Sequence, residues 1–377
     1  MITPQQGSLT FDIAVLPGDG IGVDVTREAV RVLEALSFDQ VKFAFHEFSV
    51  GAGEYLRSGD PLPAAALDAC AQADAVLLGA MGLPTVRWPD GKEMTPQVDL
   101  REKFQLYCGL RPIRLYHGHD TPLKRYERGG VPTAKSGSAE HAARPGSRPS
   151  ETIDLVIVRE STEGLFSARL SKSDPARGEV SDVMRITHTG AERVCRAAFK
   201  QAMKRRRHCT LVDKANVLPS MVFFRSVFDS VAKEFPEVET DRVYVDAAAL
   251  YLVQRPHTFD VLVTENMFGD ILSDLAAGLV GGMGMAPSGD IGDDCAVFQP
   301  SHGSAPDIAG KGIANPIATI LSAALMLEWL DHPEAVKAAQ QIHRAVELVL
   351  RNPADRTPDL GGTLTTTQMA DKIIKAL

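Results

Sequence analysis

The 377-residue chain is long enough for two or three domains, at about 100–200 residues each, and needs no disulfide or metal staple to bury a core. Hydrophobic residues at 44% and charged residues at 23% are ordinary for a globular protein, and a formal net charge of −8 excludes the basic surface of a nucleic-acid binder. The five cysteines (Cys70, Cys108, Cys195, Cys209 and Cys295) are scattered and lack C-x-x-C spacing, which excludes a disulfide framework or a cysteine zinc site and reads as reduced thiols in a cytosol.

The N-terminal MITPQQGSLTFDIAVLPGDG lacks a basic region followed by a long apolar stretch, so no signal peptide is expected. No apolar run reaches about 18 residues, so no membrane span is expected either. FDIAVLPGDG reads as a buried strand entering a glycine turn, and residues 22–36 as an amphipathic helix. DAVLLGA at 74–80 is a second buried strand. Residues 127–150, rich in Gly, Ser, Pro and Arg, cannot bury a core and read as a solvated insertion, with a lid over the site as the sharper alternative. DLVIVRE (154–160), TLVDKAN (210–216), RVYVDAA (242–248) and DVLVTEN (260–266) repeat the strand pattern between helical stretches. The basic run KRRRH at 204–208 reads as a solvated helix end. The whole predicts an α/β protein with a substantial parallel sheet.

Chemistry-bearing residues stand where these strands end: Arg159, Lys214, Asp246 and Asn266 each follow or close an apolar run. Open α/β sheets bind ligands at the carboxyl ends of their strands. FGDILSD puts Asp270 and Asp274 four apart, on one face of a predicted helix. Two carboxylates there either form a solvated acidic face or hold a hard cation such as Mg²⁺ or Mn²⁺. Arg101, Arg111 and Arg159 offer planar forks suited to a di- or tricarboxylate. A lysine beside a metal and arginines, as Lys214 would be, can transfer protons. Asp246 reads equally as a third metal carboxylate or a helix cap. GDGIG at 18–22 is not the G-x-G-x-x-G fingerprint and supports only a tight turn. HGSAPDIAGKGIANP at 302–316, ahead of a long apolar helix at 317–330, is a cradle for a nucleotide or a structural turn.

Taken together, AVLPGDGIG, LREKFQLYCGLRP, VRESTEG, DKANVL, YVDAAAL, NMFGDILSD and HGSAPDIAGKGIANPIATILSAALML resemble the metal-dependent decarboxylating dehydrogenases that act on 3-isopropylmalate, isocitrate, homoisocitrate and tartrate or D-malate. The resemblance spans nearly the whole chain. It implies a two-domain, non-Rossmann α/β fold in which residues 1–106 with 281–377 form the nucleotide-binding domain and residues 107–280 the substrate and dimerisation domain. It also implies a homodimer with shared active sites. Arg101, Arg111 and Arg159 would grip the malate carboxylates, while Asp270, Asp274 and the partner's Asp246 would bind Mg²⁺ or Mn²⁺. Lys214, also from the partner, would move the hydroxyl proton as hydride passes to NAD, before CO₂ is lost and the enolate is protonated. His302, Gly303, Ser304, Ala305, Pro306, Asp307, Ile308 and Asn315, with Asn216, would bind the cofactor. An acidic residue at Asp307 would accept from the ribose 2′-hydroxyl and repel a 2′-phosphate, favouring NAD over NADP.

Two departures from the family pattern stand out. Relatives carry a tyrosine seven residues after the strand-end arginine, where this chain has Phe166, which cannot donate a proton. In the specificity segment TPQVDLR, Thr95 and Gln97 lean polar, while Met94 and Val98 lean apolar. Isopropylmalate is the leading substrate, then tartrate or D-malate, then isocitrate or homoisocitrate. A non-catalytic regulatory subunit would have lost metal or arginine positions, and none is lost.

Overall fold

The computed structural model describes residues 9–126, 152–169 and 178–377. The insertion expected at 127–150 lies outside them. The chain forms two compact units, one of Met1–Phe104 with Gly281–Leu377 and one of Gln105–Val280.

The first unit opens with β1 (Leu9–Gly18), α1 (Ile21–Glu34), β2 (Val41–Glu47), α2 (Ala52–Ser58), α3 (Ala64–Gln72), β3 (Ala75–Ala80) and α4 (Pro96–Lys103). The GDGIG turn does more than reverse the chain. Asp19 is buried and its carboxylate accepts from the backbone N–H groups of Ala52 (2.8 Å), Gly53 (2.7 Å) and Gly82 (2.7 Å). One side chain thereby ties the end of β1 to the start of α2 and to the loop after β3.

The second unit comprises β4 (Cys108–Arg114), β5 (Asp154–Glu160), α5 (His188–Met203), β6 (His208–Asp213), α6 (Pro219–Ala232), β7 (Glu239–Tyr244), α7 (Val245–Gln254), β8 (Val261–Thr264) and α8 (Asn266–Gly278). Its strands run in the order β4-β5-β8-β6-β7, all parallel except β4, which is antiparallel to β5. The apolar runs of β5, β6 and β8 are buried along their length, as strands covered on both faces must be.

The chain then returns to the first unit with β9 (Pro287–Ile291), β10 (Ala296–Pro300), α9 (Ile317–Trp329), α10 (Pro333–Leu350) and α11 (Thr366–Ala376). The strand order there is β2-β1-β3-β10-β9, with only β9 antiparallel to its neighbour. Helix α9 is apolar all round, and every residue from Ile317 to Leu327 is buried.

Two expectations need correction. RVYVDAA is not one strand: β7 stops at Tyr244 and α7 begins at Val245, so Asp246 sits in the first turn of a helix and caps nothing as its N-cap. The alanines that follow favour helix over strand and move the boundary. KRRRH is not simply a solvated helix end either. Arg205 donates to Asp260 (2.8 Å) and Asp154 (2.8 Å), and Arg206 to the carbonyls of Asp154 (3.0 Å) and Phe259 (2.5 Å). Both guanidinium groups are thus committed inside the unit. Among the described residues no helix is long and apolar enough to cross a membrane.

Candidate active site

Arg159 ends β5 and is 2% exposed. Gly109 faces it across the β4–β5 ladder and Arg111 lies two residues along β4, so the two arginines are diagonal neighbours on one face of the pair. The Arg159 side chain then crosses α8 at Gly269, where an added Cβ would lie 2.7 Å from both its Cβ and its Cγ. Beyond that crossing its Nε and Nη2 donate to Asn266 Oδ1 (2.9 and 2.7 Å), and its Nη1 donates to Asp270. The Asn266 amide is itself held, because its Nδ2 donates to the Glu163 carbonyl at 2.9 Å. At the start of α8, buried Glu265 accepts from the N–H groups of Met267 (3.1 Å) and Phe268 (2.6 Å), which satisfies orphan donors of the first turn.

Asp270 and Asp274 lie one turn apart on α8. Desolvation, and then the negative charge of Asp270, push the Asp274 carboxyl above its usual range, while Arg111 and Arg159 pull it back. Two carboxylates that repel each other in this way fit a divalent cation. Among the described residues no group of three or more His, Cys, Asp or Glu is gathered to hold one, so Asp246 does not join this pair within one chain.

Lys214, just past β6, instead meets Asp246 itself: its Nζ donates to Asp246 Oδ1 at 2.6 Å. That bond holds the Asp246 carboxyl below its usual range. The Tyr244 ring lies 5.9 Å from the same ammonium. Asn216 is exposed in the turn that follows and belongs to the second unit, whereas residues 302–316 belong to the first.

In the first unit, buried Arg101 of α4 donates through Nε to Asp290 (3.0 Å), which Gln299 also holds at 2.7 Å. Thr95 is the N-cap residue of α4, but its side chain caps nothing. The buried Gln97 Oε1 has no hydrogen-bond partner among the described residues. Among the described residues, then, the Thr95 hydroxyl makes no helix cap and Gln97 Oε1 makes no hydrogen bond.

The loop at 302–316 follows β10 and packs on α1. Ile21 N–H donates to the Ser304 carbonyl at 2.8 Å, and any side chain at Gly20 would collide with that carbonyl. Gly310 N–H donates to Asp24 at 3.2 Å. Ala305, in a positive-φ conformation (37°), packs with Ile308 and Ala309 against Ile21, Val25 and Ala314. The Ile308 side chain is thus a packing residue, which leaves exposed Gly303, Pro306 and Asp307 facing outward. His302 Nδ1 lies 2.9 Å from the Gly303 carbonyl, and its buried Nε2 has no partner among the described residues. An orphaned buried nitrogen beside a backbone-exposing loop fits a nucleotide that completes it.

Residues 12–373 match the isocitrate/isopropylmalate dehydrogenase family. The chain belongs to that family. It is 44% identical over 360 residues to a 3-isopropylmalate dehydrogenase of Moorella thermoacetica, covering 93% of each chain. It is 43% identical over 373 residues to an isocitrate/homoisocitrate dehydrogenase of Thermus thermophilus, covering 98% of this chain and 99% of the relative. In structure it resembles isocitrate dehydrogenase from Methylococcus capsulatus with a TM-score of 0.83 at 36% identity, over 97% of this chain and 99% of that one.

For this dehydrogenase-family chain, the crossing at Gly269 carries a direct prediction. Gly269→Ala inserts a methyl where Arg159 passes, and overpacking of this kind costs about 1–3 kcal/mol. Thermal unfolding should fall by several degrees, and any substrate that Arg159 grips should show a raised KM. An unchanged melting temperature would mean that α8 yields at no cost.

Proposed function

We propose that this protein is an NAD- and divalent-metal-dependent dehydrogenase that oxidises and decarboxylates a 3-substituted malate, with 3-isopropylmalate the leading substrate. The observation that carries this reading is the Arg159 guanidinium lying on α8 between Asn266 and Asp270, with Asp274 one turn on and Arg111 beside it. A dicarboxylate and a cation need these charges side by side. A bound Mg²⁺ or Mn²⁺ supplies Lewis-acid polarisation of the substrate's hydroxyl and carboxylate oxygens. Arg101, Arg111 and Arg159 would hold the carboxylates, Lys214, oriented by Asp246, would take the hydroxyl proton, and NAD, when bound, would supply the hydride acceptor. Asp307, exposed on the nucleotide loop, accepts from the ribose and repels a 2′-phosphate.

The active unit in this reading is a homodimer. Lys214 and Asp246 pair with each other and not with the α8 carboxylates of their own chain, so each pair serves the partner's site together with Asn216. Exposed Val217, Val222, Phe223, Leu250, Val253 and Ile271 surround these elements, an apolar area of the kind that marks an interface. The scattered free cysteines suit a reducing cytoplasm.

A second reading of the substrate rests on Thr95 and Gln97. Their unspent polar groups suit a malate whose 3-substituent bears a hydroxyl or a carboxylate, and the two relatives above differ by one percentage point in identity. The test follows NADH and CO₂ in parallel, with Mn²⁺ or Mg²⁺, against 3-isopropylmalate, D-malate, tartrate, isocitrate and homoisocitrate. Metal-dependent NADH from one of these names the substrate. Silence across the panel would overturn the assignment.

A further inference from the structure

Buried Arg159 is followed directly by buried Glu160, and yet two of its donors go to a neutral amide. Nε and Nη2 both donate to Asn266 Oδ1, at 2.9 and 2.7 Å, so a single oxygen fixes the plane of the guanidinium. Asn266 is 1% exposed, and its amide sits one way round. A carbonyl only accepts and a guanidinium only donates, so the 2.9 Å bond from Nδ2 to the Glu163 carbonyl turns Oδ1 toward the arginine. Gly164 lets the turn after β5 come this close to α8: an added Cβ would lie 3.2 Å from Asn266 Cβ and 2.7 Å from Glu265 Oε2.

The carboxylates that neighbour these two residues in sequence are turned to other donors. Glu160 accepts from the Thr162 N–H (3.0 Å), the Thr162 hydroxyl (2.6 Å) and the Glu163 N–H (2.6 Å). Glu163 accepts from the Thr187 N–H at 2.8 Å and from the Thr187 hydroxyl. Glu265 accepts from the first-turn N–H groups of α8. Asp270 does pair with Arg159, but its side chain is 44% exposed and water screens it. A carboxylate at position 266 would grip the guanidinium more strongly than the amide does, because hydrogen bonds between ions are the stronger kind. It would also offset the arginine's charge in a buried place, where screening is weak. The amide supplies the geometry and leaves the charge.

We propose that Asn266 is a positioning residue for substrate binding: its neutral amide fixes the Arg159 guanidinium without offsetting its charge, which is left to draw in a substrate carboxylate. This rests on the reading above that Arg159 grips a carboxylate. The test is calorimetric binding of 3-isopropylmalate, D-malate and isocitrate to the full-length protein, with Mg²⁺ and without NAD, so that no turnover occurs. Asn266→Asp keeps an acceptor for Arg159 and adds a charge. It should weaken binding by about 10–100-fold, the one to two pK units that an adjacent charge commonly exerts. Asn266→Ala keeps neutrality and releases the guanidinium, and should weaken binding by about 10-fold, the worth of a lost orienting hydrogen bond. Melting curves confirm that both variants fold. In turnover both should raise KM and leave kcat nearly unchanged, whereas a merely structural defect would lower kcat along with the melting temperature. Arg159→Gln is the control and should bind weakly. If it binds as the unaltered protein does, or if the unaltered protein binds none of the three acids, the gripping role of Arg159 falls and this proposal with it. If Arg159→Gln is weakened while either Asn266 variant binds as before, Asn266 has no such role and the reading of Arg159 stands.

Discussion

Lys214→Met is expected to lower kcat by about 10²–10⁴, the usual worth of a positioned proton-transfer group, with little change in KM. The side chain is three-quarters buried at the end of β6, and its Nζ makes the 2.6 Å bond with Asp246. Methionine keeps the length of the stem and deletes the ammonium. Asp246 then loses its partner but is 69% exposed, so water replaces the lysine and the fold loses little. The variant should melt with the unaltered protein, so that a large loss of kcat reports chemistry and not unfolding. The shared-site reading adds a sharper result. Asp270→Asn should also be inactive, but mixing it with Lys214→Met under conditions that exchange subunits should restore about a quarter of the original activity. Each hybrid dimer would hold one site with both defects and one with neither. No recovery on mixing, with exchange verified by mass, would place Lys214 and Asp270 in the same chain's site.

The parts of this site legible from sequence are those written in local spacing. Asp270 and Asp274 share a helix face because four residues make about one turn, and no tertiary information is needed. The alternating fold was legible because buried strands of a parallel sheet read as unbroken apolar runs. What sequence concealed depends on partners far along the chain. The role of Gly269 follows only from Arg159 crossing it, more than a hundred residues away in sequence. Arg205 and Arg206 read as part of a solvated helix end until Asp154 and Asp260 are seen to pair with them. Ile308 and Asn315, both expected to touch the cofactor, have side chains engaged in packing and in a hydrogen bond from Asn315 Nδ2 to Asp359 at 3.0 Å. Asp246 was misplaced for a different reason: Tyr, Val and Asp in succession suit either a strand end or a first helical turn, and the helix-forming alanines beyond decide the matter.

Phe166→Tyr is expected to raise the rate of net CO₂ release by about 10²-fold, because an enolate once protonated can no longer recapture CO₂, while changing NADH formation much less. Phe166 opens a short turn after β5, and the Arg159 guanidinium carbon lies 5.0 Å from its ring centroid. The ring therefore supports the Arg159 guanidinium through its π face. A tyrosine keeps that face and adds a hydroxyl, so the stack on Arg159 survives and a proton donor appears beside the gripped substrate. Hydride transfer precedes the need for this donor and should be nearly indifferent to it. Phe166→Leu supplies the contrast: it removes the ring, leaves Arg159 without its support and should raise KM without altering the ratio of CO₂ to NADH. If Phe166→Tyr leaves that ratio where it was, the enolate already receives its proton efficiently from water or from another side chain. The phenylalanine would then serve solely to seat Arg159, and the missing hydroxyl would mark a change in how this chain delivers the proton, not a loss of the decarboxylation step.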